Sequence, residues 1–354
     1  LLGNLGNVNQ RKTGSLYGVI LIPESATGKD IEDARKLLID RGSADASPTT
    51  IVSAYWAGRT DIIDFRNTDF PNATSLSYAW DGCNNMTQIG TLNAPVATNF
   101  NSAFKSCSSL SSFPSGAKLG TEASNVNFSE AWRSSGLTSF PALDLSQGAN
   151  FNAAFLGCTS LTTIEKGVLF GTAHATFSVD FGYAFSGCTS LAALPSGLDM
   201  SRGDYFNNAW KNCSALTQFP ADAKLGTAAT NVNFQSAWEG CGLTSFSTPL
   251  PKAKSMYRAF FDCTSLTDFS SDVFANWNSS ILGTSIFRDT WSGCTSLTAQ
   301  SVENILTSID ASNQHGTDDG TSTGNPLGDS GIDIDYNVAT GSLSAATNTA
   351  IDSL

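Results

Sequence analysis

Charge is scarce in this sequence. Only 14% of its 354 residues are Asp, Glu, Lys or Arg, and acids outnumber bases by 31 to 19, for a net charge of −12. That balance argues against nucleic acid or an anionic membrane as partner, because both repel an acidic surface. Histidine is almost missing: His174 stands in "FGTAHATFSVD" and His315 in a polar stretch. A Ser–His–Asp site needs a histidine held between partners, and both of these read as solvated loop residues. No C-x-x-C occurs, so the eight cysteines lack zinc-ligand spacing. The phosphate-binding glycine motifs are missing as well. Long apolar runs are lacking; "VILI" at 19–22 falls far short of the roughly 20 residues that a membrane helix needs. The chain does not begin with Met. It opens "LLGNLGNVNQRKTG" and reads as a fragment of a longer polypeptide.

Paired acids are missing too. Asp180, Asp199, Asp204 and Glu239 stand singly, with no spacing that joins two of them for glycoside hydrolysis. Asp318, Asp319, Asp329, Asp333 and Asp335 offer oxygen ligands for calcium but not in EF-hand order, and read as a flexible acidic loop. The expectation is no catalytic residue, no metal and no cofactor. Ser, Thr, Asn, Gly and Ala fill the space left by charge, a surface common among extracellular and virion-associated proteins.

What the chain has instead is repetition. "LSYAWDGCNNMTQI" (76–89), "FNSAFKSCSSLSSF" (100–113), "FNAAFLGCTSLTTI" (151–164), "FGYAFSGCTSLAAL" (181–194) and "FRDTWSGCTSLTA" (287–299) write one phrase, Φ-x-x-A-[FW]-x-x-C-x-x-L-T-x-Φ. Nine units carry it between 76 and 299, with Ser135 in the cysteine column of the third. Unit lengths vary from 22 to 31 residues, and the variation itself recurs: Cys107 and Cys213, Ser135 and Cys241, and Cys188 and Cys294 are each 106 apart. A tandem duplication of a four-unit block explains this, and the shared "AKLGT", "NVNF" and "GLTSF" support it.

Phe100, Ala103, Phe104 and Cys107 follow i, i+3, i+4, i+7, so the spacing predicts one or two turns of helix with an apolar face. Gly82, Gly157, Gly187, Gly240 and Gly293 precede the cysteine column, where such a helix would end. "SLTSF" or "SLTTI" then predicts a short strand. One unit cannot bury its own apolar face and stacked units can, so the array is expected to be a solenoid at 61–299. The cysteines admit four disulfides. Their single column and the Ser135 substitution favour buried free thiols instead. Trp80, Trp132, Trp210, Trp238 and Trp291 share the helical spacing and are expected in the core rather than against a ligand.

The phrase "AFSGCTSLAAL" (184–194) resembles the BspA-like leucine-rich repeat family, and the resemblance covers residues 76–299. It implies an α/β repeat solenoid, a right-handed coil with short parallel strands on one face and short helices on the other. Proteins with such repeats are mostly surface proteins of bacteria and protists, and some are phage tail or virion fibres. Residues 1–60 are expected to end a preceding domain; "GVILIPESATGKDIEDARKLLIDRG" (18–42) reads as strand, turn and helix and is similar to the end of laminin-G or concanavalin-like modules. Residues 300–354 are expected to close the array with a helix at 300–311, a loop, a strand at 332–336 and the start of another helix.

The strand positions after Leu are Ser111, Thr138, Thr162, Thr217, Thr244 and Thr267. The next column holds Ser112, Ser139, Thr163, Gln218, Ser245 and Asp268, the candidate receptor-binding face. Period-two alternation leaves open which column meets solvent in so short a strand. The first functional expectation is a non-enzymatic adhesion module on a phage tail fibre or other virion appendage, docking on a host-surface glycan or protein. A bacterial cell-surface adhesin and a structural spacer are the alternatives. Virion or surface-protein subunits are expected partners, without membrane insertion, and a homo-oligomer is left open.

Overall fold

A computed structural model describes residues 50–312 apart from 52–53, 55, 66–68, 91, 174–177 and 278–285. The expected elements at 18–42, 332–336 and 344–354, together with His174, His315 and the Asp-rich segment, lie outside the described residues.

The array is a parallel β-solenoid. The coils contribute strands of two or three residues, or single bridging residues, to three ladders. The first ladder runs Ala73–Ser75, Asn99, Val126–Asn127, Gly148–Asn150, Val179–Asp180, Gly203–Tyr205, Val232–Asn233 and Ala253–Ser255. The second includes Ser139–Phe140 against Thr163–Ile164 and Ser245–Phe246 against Asp268–Phe269. The third includes Asn93–Ala94 against Lys118–Leu119 and Asp199–Met200 against Lys224–Leu225. An earlier coil joins the stack, since Thr50–Ile51 pairs with Ala73–Ser75. An alignment on cysteine passes over that coil because Arg59 stands in the cysteine column after Trp56 and Gly58.

The expected helices are not there. Phe100–Cys107 is a run of tight turns, and its backbone donors explain why. The N–H groups of Phe100, Ser102, Phe104 and Ser106 leave the coil for the carbonyls of Asn127, Ser129, Ala131 and Arg133, at 2.7–2.9 Å. The alternate N–H groups stay local: Ala103 to Phe100 O, Lys105 to Ser102 O and Cys107 to Phe104 O. Asn101 N–H donates to the Asn99 side chain at 3.0 Å, an Asx turn. All eight donors are thereby satisfied. A helix would turn every N–H inward and give up the bonds between coils.

The geometry requires left-handed backbone at two places per phrase. Ser102 (φ 53°) and Ser106 (φ 59°) occupy them here, and Asn208 with Asn212, Tyr183 with Gly187, and Ser236 with Gly240 occupy them elsewhere. The glycines before the cysteine column are therefore turn residues inside the coil, not helix ends. Gly, Asn and Asp tolerate this region best; Ser, Ala, Tyr, Glu and Arg also occupy it here, and no β-branched residue stands in either column. The i, i+3, i+4, i+7 spacing survives because two consecutive turns bury the same positions that a helix would.

The core is a stack of rings. Trp56, Trp80, Phe104, Trp132, Phe155, Phe185, Trp210, Trp238, Phe260 and Trp291 follow one another face to face, with centroids 4.9–6.4 Å apart. A second column, Phe100, Phe128, Phe151, Phe181, Phe206 and Phe234, stacks at 5.2–5.3 Å. The tryptophans expected in the core are fully buried.

All eight cysteines are buried and free. Each thiol donates to the carbonyl of the ring residue one coil back: Cys107 to Trp80, Cys188 to Phe155, Cys241 to Trp210 and Cys263 to Trp238, at 2.9–3.1 Å. The column therefore asks for a small side chain that is apolar in bulk but carries one donor.

Two units are one residue shorter after this column, and a glycine makes that possible. A Cβ on Gly242 would come within 2.0 Å of the Ser214 carbonyl oxygen, and one on Gly136 within 2.0 Å of Ser108 O. Gly242→Ala must push the coils apart there. A loss of about 1–3 kcal/mol in denaturant unfolding is expected, and an unchanged midpoint would show that the backbone yields freely.

The array ends on a single helix, α1 (Ala299–Ala311), capped by the Thr298 hydroxyl on Ser301 N–H at 3.2 Å. Its Ser301 Oγ donates to Thr267 O and Asn304 Nδ2 to Phe269 O, both at 2.8 Å. These bonds cover strand edges that would otherwise be open. Among the described residues, no helix is long and apolar enough to cross a membrane.

Candidate interaction surface

The strand after the cysteine turn does not alternate. Leu137 and Phe140 are buried, and Thr138 and Ser139 between them both meet solvent. The same holds for Leu161-Thr162-Thr163-Ile164 and Leu216-Thr217-Gln218-Phe219. The strand is too short for a period of two, and both candidate columns face outward. Ser112, Thr163, Gln218 and Asp268 are exposed, and Ser139 and Ser245 are half-buried. The register aligns five of them in two runs: Ser139 pairs with Thr163 and Thr163 with Ala193, and Gln218 pairs with Ser245 and Ser245 with Asp268.

The threonine column has a structural task. Thr162 donates both its N–H and its hydroxyl to Thr138 O, each at 2.8 Å. Thr138 does the same to Ser111 O, and Thr267 to Thr244 O. Only a β-hydroxyl on a residue with an outward N–H makes this double contact, which explains the repeated L-T. The adjacent column has no such duty in the ladder, and its composition is free to vary.

The scattered acids separate into distinct environments. Asp199 accepts from Ser201 N–H at 3.0 Å and pairs with Lys224 at 3.4 Å; these contacts outweigh its partial burial and hold its carboxyl below the ordinary range. Glu239 lies between Lys211 at 3.1 Å and Arg258 at 3.2 Å; with Ser236 they outweigh its burial and lower its pKa. Glu130 is held down by its hydrogen bond from Lys105 at 2.7 Å. Asp180 and Asp204 sit on neighbouring strands of the first ladder, where Asp180 pairs with Tyr205. Burial pushes the Asp204 carboxyl up. Linear sequence hides the pairing of Asp180 with Tyr205, because a loop of variable length lies between coils.

Several aromatics break the polar surface. Tyr183 and Tyr205 are 41% and 50% exposed, and Tyr78 is 43% exposed. Tyr205 stands in a column that is mostly Asn, Asp or Ser in other coils, whereas Tyr78 and Tyr183 share a column that also holds Ala, Ser, Asn, Glu and Arg. Comparison with protein-family models, with curated proteins and with solved structures finds no match.

Proposed function

We propose that this chain is a non-enzymatic binding module, displayed on a virion appendage such as a phage tail fibre, that docks on a glycan or protein of a host surface. The observation that carries the reading is the second ladder. It sets Ser139 and Thr163, and Gln218, Ser245 and Asp268, in register on a surface whose backbone bonds between coils, with Ser112 in the same sequence column. Such a face is pre-organised, so docking orders little that was free before. The recurring A-F-x-x-C-x-x-L phrase supports membership in the BspA-like leucine-rich repeat family with its right-handed coil, and that resemblance supports the surface setting. The acids support binding over catalysis, since Asp199, Glu130 and Glu239 are each engaged by cations or local donors.

The test is binding of the fluorescently labelled chain to a panel of bacterial cells, before and after periodate. Saturable binding removed by periodate is expected for a glycan receptor, and binding that survives it for a protein receptor. The variant Thr163→Arg/Gln218→Arg should abolish binding with no change in melting temperature, because both side chains are exposed. No binding to any cell would overturn adhesion in favour of a spacer.

A further inference from the structure

Because the coils repeat, departures from the repeat can be located one by one. Three columns of the first ladder and its following turn run side by side. The column before the buried Phe carries Asn99, Asn127, Asn150 and Asn233, whose side chains cap the turn. The column after that Phe carries Asn101, Ser129, Asn152, Asn207 and Gln235. The third, at left-handed φ, carries the buried Ser102, Ala153, Asn208 and Ser236 in four coils and the larger Tyr78, Glu130 and Arg258 in others. Three departures fall together on two neighbouring coils: Asp180 replaces the capping Asn, Gly182 replaces the polar residue, and on the next coil Tyr205 replaces the capping Asn. Beside them Tyr183 is one of the large residues of the third column.

Their geometry is convergent. Asp180 keeps the cap, accepting from Gly182 N–H at 2.7 Å. Asn152 reaches over from the preceding coil, its Nδ2 3.3 Å from Asp180 Oδ2. A Cβ on Gly182 would lie 2.8 Å from Asn152 Nδ2, 3.1 Å from Asn207 Oδ1 and 3.1 Å from Asp180 Oδ1. An amide donor, an amide acceptor and a carboxylate from three successive coils thus crowd over a residue without a side chain. The half-buried polar groups retain further hydrogen-bonding capacity toward solvent. Tyr205 stands beside Asp180 by register, and Tyr183 follows Gly182 in the chain. The Tyr205 carbonyl accepts from Phe181 N–H at 2.8 Å, but its phenol oxygen is carried too far from the backbone to cap the turn as the asparagines do. Exposed rings at this position call for another purpose.

We propose that Asp180, Asn152 and Asn207, flanked by Tyr183 and Tyr205, form a binding site for a neutral saccharide. This rests on the reading of the chain as a binding module and adds a local site away from the second ladder. The chemistry matches on both sides of a sugar ring. Its C–H face is apolar and lies against an aromatic ring, while its hydroxyls both donate and accept. A carboxylate and two amides set side by side supply both functions. The Asp180 carboxylate, with no cation paired to it among the described residues, makes the site acidic and disfavours uronic and sialic acids through like-charge repulsion.

The experiment presents the full chain to an array of neutral and anionic oligosaccharides and to the cell panel. Wild type is compared with Tyr183→Ala/Tyr205→Ala and with Asp180→Asn. The second variant keeps the capping acceptor, as Asn150 and Asn233 do. Wild type should bind at least one neutral glycan, and each variant should bind it at least tenfold more weakly with its melting temperature unchanged. Undiminished glycan binding by both variants would overturn the site and leave adhesion standing. Recognition of anionic glycans alone, or of cells but no glycan, would do the same. No binding to array or cells would overturn the site and the adhesion reading together.

Discussion

Trp238→Ala is expected to lower stability by about 3–5 kcal/mol, the range for emptying the volume of a buried aromatic. Trp238 is fully buried and touches five rings. It stacks on Trp210 at 5.5 Å, Phe260 at 5.0 Å and Phe234 at 5.5 Å. It also meets Phe219 and Phe246 edge-on at 5.6 and 4.9 Å. Neighbouring coils cannot collapse into the gap, because their spacing is fixed by the backbone ladders on every side. Trp238→Phe should cost less than half as much. Phe104, Phe155, Phe185 and Phe260 already occupy this column, and the Trp238 indole nitrogen has no hydrogen-bond partner. Removing an unsatisfied donor offsets part of the lost contact. Chemical denaturation of the three proteins checks both values. Equal losses for Phe and Ala would show that the indole edge itself matters.

Cys188→Asp is expected to cost more than about 4 kcal/mol, because it places an unpaired carboxylate in the core. Cys188→Ser should be far milder. A hydroxyl can still donate to Phe155 O, as the thiol does at 3.1 Å, and Ser135 already stands in this column. Comparable stability of the two variants would mean that the column is not sealed. The thiols also predict a pH dependence. Burial raises the pKa values of Cys83, Cys107, Cys158, Cys188, Cys241 and Cys263, to about 11 for Cys83 and Cys158 against an ordinary 9.0. The folded chain holds these protons where the unfolded chain has lost them. Stability should therefore be insensitive to thiol ionisation below pH 9 and decline between pH 9 and 11. Thiol reagents at pH 8 should reach the cysteines only after denaturation.

The repeat and its buried positions were legible because each coil meets the same environment. Phe100, Ala103, Phe104, Cys107 and Leu110 are all in the core, as the phrase required. The local path of the backbone was not legible. A helix and a pair of turns bury the same four positions, and hydrophobic spacing cannot tell them apart. The columns at Ser102 and Ser106 carried the clue, since no β-branched residue stands in either one. A column without Val, Ile or Thr is a sign of positive φ, which the apolar spacing and the glycines alone present as a helix with a glycine end.

The surface shows the same division. The in-register column from Ser139 to Asp268 could be written down from an alignment of units, yet only the fold showed that both it and the threonine column face water. The cluster around Gly182 was hidden more deeply. Asn152, Asp180 and Asn207 are separated by loops of unequal length and meet only because coils stack at a fixed register. Composition, period and core columns are properties of one unit and repeat along the chain, so they can be read from it. The choice between turns and helix depends on whether backbone donors bond within a coil or to its neighbour. That choice, and every contact between coils, exists only once the coils are stacked.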